Sequence, residues 1–302
     1  MFFEGSEKKV QIRVTPQAGS LRELGIEFWR ALVAQSQASI LSQVQSAELD
    51  AFILSESSLF VWDDRFVMIT CGNISLVDSI GFFLQRFDRE LLAEVSFQRK
   101  NEYQSHLQKT TFEQDQQQLS QWLPGRAHQL GHLDGHHNFI WYWHAGHQPK
   151  ALDINTELLM YHISGEAADY LRSQGQSIAG VRRALALEDL FAGFIIDDFL
   201  FEPYGYSVNG VKGCQYFTIH ITPQEDSSYV SFETNIDLAL NHPTLLDQLC
   251  QILNPSSFDL ITFNCSPSLT ASDDTVLVAH QSASLQAVYP VDFKHFMCPL
   301  GT

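Results

Sequence analysis

The chain has 302 residues, 45% of them hydrophobic, and 18 Lys and Arg against 35 Asp and Glu give a formal charge of −17. A surface of that sign repels phosphate, which argues against nucleic acid and anionic membrane as partners and favours a cationic small molecule. The five cysteines, Cys71, Cys214, Cys250, Cys265 and Cys298, are odd in number and form no CxxC pair, so neither a disulfide framework nor structural zinc is expected.

The first residues show no basic segment followed by an apolar one, and no uncharged run nears the ~18 residues of a membrane span; the expectation is a reduced, cytoplasmic protein.

In chain order, residues 2–14 suit a strand, and 20–34 place Leu21, Leu24, Phe28, Leu32 and Val33 at helical spacing, with Ser20 as N-cap and Glu23 at the capping-box position. Residues 50–62 and 66–71 read as two strands around an Asp63-Asp64 turn. Residues 76–93 are helical and 95–98 extended, while the Gln-rich stretch 104–121 is either an exposed helix or an excursion. An aromatic strand, 139–144, precedes helical patterns at 155–173 and 179–191 and strands near 194–202, 215–222 and 228–234. A helix at 243–253 and strands near 258–264, 275–280 and 286–292 complete the chain. Many adjacent strands with interspersed helices favour antiparallel α+β over doubly wound α/β, within a single domain spanning 1–302.

Six histidines crowd residues 128–147, and His128 and His132 have the four-residue spacing that would place two imidazoles on one helical face. Gly125, Gly131 and Gly135 surround them and no HExxH glutamate is present, so the segment reads as a surface loop and no metal site is expected. The segment LSESSLF (54–60) is more informative, because two consecutive serines pack poorly within an apolar strand. No GxSxG elbow accompanies them, which leaves a hydrolase nucleophile unsupported.

That segment, with FFEGSEK (2–8), TCG (70–72), RKN (99–101), PYGYSVNG (203–210), YFTIHITPQ (216–224) and SYVSFETN (228–235), resembles the eukaryotic-type S-adenosylmethionine decarboxylase proenzymes, with the blocks in family order. The resemblance implies a four-layer α/β/β/α sandwich of two antiparallel sheets with helices outside and the site between them. It implies self-cleavage at Glu56-Ser57 into chains 1–56 and 57–302, with a pyruvoyl group generated from Ser57 and no metal. In that chemistry the Ser57 hydroxyl attacks the Glu56 carbonyl, Ser207 stabilises the oxyanion, and His220 removes the Cα proton so that the ester is eliminated. The pyruvoyl group then serves as electron sink, and Cys71 returns a proton to the substrate. Phe3 and Phe201 match the aromatics that sandwich adenine, Glu4 and Glu7 match acids of the site, and Leu54 adds a substrate contact.

The chain departs from the family at three kinds of position. Gln224 stands where the family has a ribose-binding glutamate, and Tyr204 replaces a cysteine. Asp153, Glu157 and Glu233 match acids that hold putrescine, but Gln11 replaces a carboxylate and Ile69 a lysine of that network. The implied activity is decarboxylation of S-adenosylmethionine for spermidine or spermine synthesis, by a monomer or homodimer of processed chain pairs. A pyruvoyl decarboxylase of ornithine or arginine and a non-catalytic regulatory paralogue stay open as alternatives.

Overall fold

The computed structural model describes residues 7–72, 74–102, 105–132, 136–146, 153–225, 227–270 and 275–298. Two compact units divide the chain, residues 1–150 with 283–288 and residues 151–282 with 289–302. In the first, strands β1 (Glu7–Val14), β2 (Ile40–Gln45), β3 (Asp50–Leu54), β4 (Ser57–Val61), β5 (Arg65–Thr70), β6 (Leu92–Lys100), β7 (Arg126–Gly131) and β8 (His137–His144) form one sheet. Its order is β2-β3-β4-β5-β1-β6-β8-β7, antiparallel throughout.

Successive side chains of a strand point to opposite faces, so Val10, Ile12 and Val14 share one face of β1. They join Phe52, Leu59, Met68, Phe97 and Trp141 in an apolar core that takes in Trp29, Leu32, Ile80, Phe83, Phe112 and Leu119 from helices α1 (Ile26–Gln35), α2 (Val77–Leu84) and α3 (Phe112–Trp122). The other face of the central strands is buried too, yet it carries Glu7, Lys9, Gln11, Ser96, Gln98 and Lys100.

The second unit repeats this plan. Strands β9 (Asn155–Tyr161), β10 (Ile195–Leu200), β11 (Tyr206–Lys212), β12 (Gln215–Thr222), β13 (Tyr229–Thr234), β14 (Ser257–Phe263), β15 (Val276–Leu285) and β16 (Tyr289–Met297) run in the order β10-β11-β12-β13-β9-β14-β16-β15, which is the first order with eight added to every number. Leu158, Val208, Phe217, Ile219 and Phe232 face helices α4 (Glu166–Arg172), α5 (Ile178–Ala184), α6 (Leu187–Leu190), α7 (Leu238–Asn241) and α8 (Leu245–Leu253). Each unit thus supplies one antiparallel sheet and one layer of helices, the four layers of the expected α+β architecture.

Several expected elements differ. Residues 50–62 are two strands, because Ser55 and Glu56 form a tight turn that pairs Leu54 with Ser57. Residues 155–173 begin as strand β9 rather than helix: Glu157, Leu158, Leu159 and Met160 are good helix formers, but the segment lies between β13 and β14, where ladder pairing overrides local preference. Ser20 caps no α-helix, since its hydroxyl donates to Asp63 and α1 starts only after Gly25. Strand β7 occupies part of the His-rich segment, so His128 and His132 are separated by an extended chain of about 13 Å rather than one helical turn.

The Gln-rich stretch resolves into α3, opened by a capping box in which Thr111 and Gln114 exchange hydrogen bonds. Its Asp115 is buried and accepts from Arg99 Nη1 at 2.7 Å, while the Thr110 carbonyl accepts from Nη2 at 2.9 Å. Removing Asp115 takes one of two carboxylates from the buried Arg99 guanidinium, which keeps Glu102. Asp115→Ala is expected to lower unfolding free energy by about 3 kcal/mol in urea denaturation, more than the apolar deletion Leu107→Ala at the exposed Leu107.

Candidate active site

The Ser55-Glu56 turn delivers Ser57 to the start of β4 with φ +152, outside the range L-residues adopt comfortably. The other non-glycine residues of positive φ lie between 41 and 60, in the ordinary left-handed region. Strain of this kind costs of order 1–3 kcal/mol and persists only where surrounding structure enforces it. Here the enforcement is visible: the Cys71 backbone N–H donates to the Glu56 carbonyl at 3.0 Å, just beyond the last β4–β5 pair, Ser57 with Thr70. The amide bond preceding the strained serine therefore has its carbonyl oxygen already held by a donor. Ser57 is buried and Cys71 is partly so.

Nearby on β1, Glu7 lies directly across the ladder from Lys100 and accepts from its Nζ at 2.6 Å, both side chains being buried.

In the second unit, Ser207 on β11 and His220 on β12 are cross-strand partners, with Oγ 2.7 Å from Nδ1. Thr218, two residues along the same strand and hence on the same face, places Oγ1 2.9 Å from Nε2. Both ring nitrogens are engaged by hydroxyls, each of which can donate or accept. The ring can then exchange tautomers without losing a partner. Gly205, with φ +146, makes the bend that leads Ser207 into the ladder, and a Cβ there would come within 3.2 Å of Phe201 Cβ.

The adenosylmethionine decarboxylase family model matches residues 1–296. The chain belongs to the adenosylmethionine decarboxylase family. It is 31% identical to the S-adenosylmethionine decarboxylase proenzyme of Trypanosoma cruzi, over 86% of this chain and 75% of the relative. Identity is also 31% to those of Dictyostelium discoideum (91% and 79% covered) and Xenopus laevis (85% and 82%). A solved monomer of Trypanosoma brucei AdoMetDC-delta26 shares the fold, with a TM-score of 0.64 and 23% identity over 80% of this chain and 99% of the other.

The remaining family positions fall as follows. Phe3 and Glu4 lie outside the described residues. Phe201 is partly buried beside Phe199, their ring centroids 4.7 Å apart, and its N–H donates to the Gly205 carbonyl. Leu54 is buried in the apolar core at the end of β3. Gln224 sits just past β12, its Oε1 accepting from Ser227 at 3.1 Å, and Tyr204 is exposed. Glu157 and Glu233 are buried and face one another across the β9–β13 ladder, with Asn155 donating to Glu233 at 3.2 Å and the Tyr216 hydroxyl donating to it as well. Burial and these two carboxylates push the Tyr216 hydroxyl well above its ordinary range, which fixes it as a donor. Asp153 lies two residues before β9, its backbone carbonyl accepting from Tyr289.

Ile69, where the resemblance leads one to expect a lysine, stands directly across from Lys9 of β1, a buried cation. The sequence reading missed this pairing, which only the register reveals. It also missed Thr218, although the T-x-H spacing of TIHIT already puts both side chains on one face of a strand.

The backbone at residue 57 can be tested apart from any chemistry. Ser57→Ala and Ser57→Gly both remove the hydroxyl, yet only glycine relieves a φ of +152. Denaturant titration is expected to find the glycine variant the more stable by about 1 kcal/mol; equal stabilities would show that the junction is unstrained.

Proposed function

We propose that this chain is a self-processing, pyruvoyl-dependent decarboxylase of S-adenosylmethionine, acting in the cytoplasm to supply the aminopropyl donor for spermidine or spermine synthesis. The observation that carries the reading is the Glu56-Ser57 junction, a strained serine behind a carbonyl held by the Cys71 N–H. Attack by Ser57 Oγ on that carbonyl forms a C–O bond and breaks the C–N bond, the released amine taking the hydroxyl proton. Conversion of amide to ester frees the backbone at Ser57 from its strained torsion. The Cys71 N–H already points at the oxygen that becomes negative, and the reading assigns the Ser207 hydroxyl as a second donor.

The ester is then eliminated by removal of the Ser57 Cα proton, the role of His220. While Ser207 donates to the oxyanion it accepts from Nδ1–H, which leaves Nε2 to accept from Thr218. The reverse tautomer frees Nδ1 for proton abstraction. Hydrolysis of the resulting dehydroalanine releases ammonia and leaves a pyruvoyl group at residue 57. That group supplies an electron sink for loss of carbon dioxide. Cys71, whose thiol lies on the same turn as the N–H just described, gives the proton that completes the product. Phe3 and Phe201 would stack on the adenine, Glu4 and Glu7 would serve the cationic end of the substrate, and Gln224 would hydrogen-bond the ribose. Among the described residues no helix is long and apolar enough to cross a membrane.

Purified protein should separate into chains 1–56 and 57–302, the latter with a blocked N-terminus by intact mass. Ser57→Ala should remain uncleaved, and His220→Ala should accumulate a hydroxylamine-sensitive ester. A single uncleaved wild-type species after long incubation would sink the proposal. Labelled carbon dioxide should come from S-adenosylmethionine and not from ornithine, arginine or lysine; turnover of one of the latter alone would replace the substrate.

Putrescine should stimulate either reaction weakly or not at all. A buried diamine needs carboxylates at both ends. Asp153, Glu157 and Glu233 offer one acidic cluster, Gln11 has lost a charge, and Lys9 adds a buried cation to the sheet face that carries Gln11. A several-fold, saturable rise in rate that disappears in Glu157→Gln would contradict this.

A further inference from the structure

The Gln-rich stretch has a second part, residues 105–111 ahead of α3, that the fold alone does not explain. Two of its residues, Gln108 and Thr110, reach the ends of two central strands. Gln108 Oε1 accepts from Lys8 Nζ of β1 at 2.7 Å, and Thr110 receives Arg99 of β6 on both its carbonyl and its hydroxyl. Lys8 and Arg99 are direct ladder partners, and Lys8 is also paired with Thr70, which is paired in turn with Ser57. A second Lys8 bond closes the circuit: Nζ donates to the Gly72 carbonyl at 2.9 Å.

The turn after β5 needs such support. The ladder ends at Thr70, and Gly72 has φ +73, so residues 71–72 leave the strand conformation. The Cys71 N–H is bound on one side, to the Glu56 carbonyl; the Gly72 carbonyl is bound on the other, to Lys8. We propose that Gln108 and Lys8 form a brace that positions the Cys71–Gly72 turn, making both of them positioning residues for self-cleavage at Glu56-Ser57 and for the Cys71 thiol. This rests on the function proposed above.

The electrostatics agree with that role. Burial, and then the Arg99 charge, push the Lys8 ammonium down to about 8, opposed by Glu102, Asp115 and Cys71. At neutral pH Lys8 is still an ammonium with three donors, buried where only fixed acceptors can satisfy it. Gln108 supplies one of those acceptors and the Gly72 carbonyl another. The same ammonium interacts with the charge that the Cys71 side chain carries once deprotonated.

Gln108→Leu removes the acceptor and Gln108→Glu keeps one, so the pair separates brace from bulk. Two measurements read it. The first is the rate of self-cleavage by intact mass. The second is iodoacetamide alkylation of Cys71, quantified on its own peptide in a Ser57→Ala background and normalised to the rate at high pH, where accessibility alone counts.

The leucine variant is expected to slow cleavage about fivefold and the normalised alkylation at pH 7 by a similar factor, with the glutamate variant retaining most of both. Lys8→Gln, which loses the charge, should repeat the leucine result if Gln108→Leu proves unstable. Unchanged rates in both measurements, or glutamate as damaging as leucine, would overturn the brace. Because alkylation is read without cleavage, a wild-type chain that never cleaves would refute the function and still leave the brace tested.

Discussion

Burial of both faces of the central strands is the constraint on which the rest depends. A sheet with one wet face can leave its polar side chains to water; here each one must find a partner inside. The helix-facing sides meet the constraint mainly with apolar packing. The opposite sides and the strand ends meet it with linked polar groups: Glu7 with Lys100, Arg99 with Asp115 and Thr110, Ser207 with His220 and Thr218, Tyr161 and His295 with Asp259. Every candidate catalytic group belongs to such a set or adjoins one. Low local polarity strengthens each of these contacts and makes each expensive to lose, which suits groups whose position must not drift.

Two of the departures from the expected pattern sit where this constraint is relaxed. Gln224 lies beyond the end of β12, and Tyr204 stands exposed before β11. Neither interrupts a ladder or strands a buried partner. By contrast, Ile69 is a ladder residue of β5 on the polar face, and it faces Lys9.

Much of this was legible in the sequence. β-Branched and aromatic runs gave most strands, and the ordered motif blocks singled out Ser57, Cys71, Ser207 and His220; the turn at Cys71 and the pairing of Ser207 with His220 became visible only in the structure. Two of the strands that were missed share a cause. β9 and β11 are central strands buried on two sides, so they lack the alternation that marks a half-wet strand; Asn155, Glu157, Ser207 and Asn209 on one face break up an apolar run that would otherwise be recognisable. Lys8, Lys9 and Gln108 were invisible for a different reason. Their significance lies in who stands across the ladder or at the end of a long side chain, and register is a tertiary property.

The placement of β1 has a further consequence. It lies between β5 and β6, while β2 and β3 form the outer edge next to β4, so the first 56 residues fill the middle of one sheet as well as its rim. Cleavage between residues 56 and 57 would therefore change the order of the unfolding reaction. What was a single chain becomes a heterodimer whose interface is a set of β-ladders and half an apolar core. The loop entropy that the intact turn once saved would be lost to the unfolded state's gain, and re-formation of the sheet would depend on the concentration of both pieces. A processed molecule that lost its short chain would have no way to rebuild it in place. Its lifetime would be set by how slowly a strand hydrogen-bonded on both sides can leave.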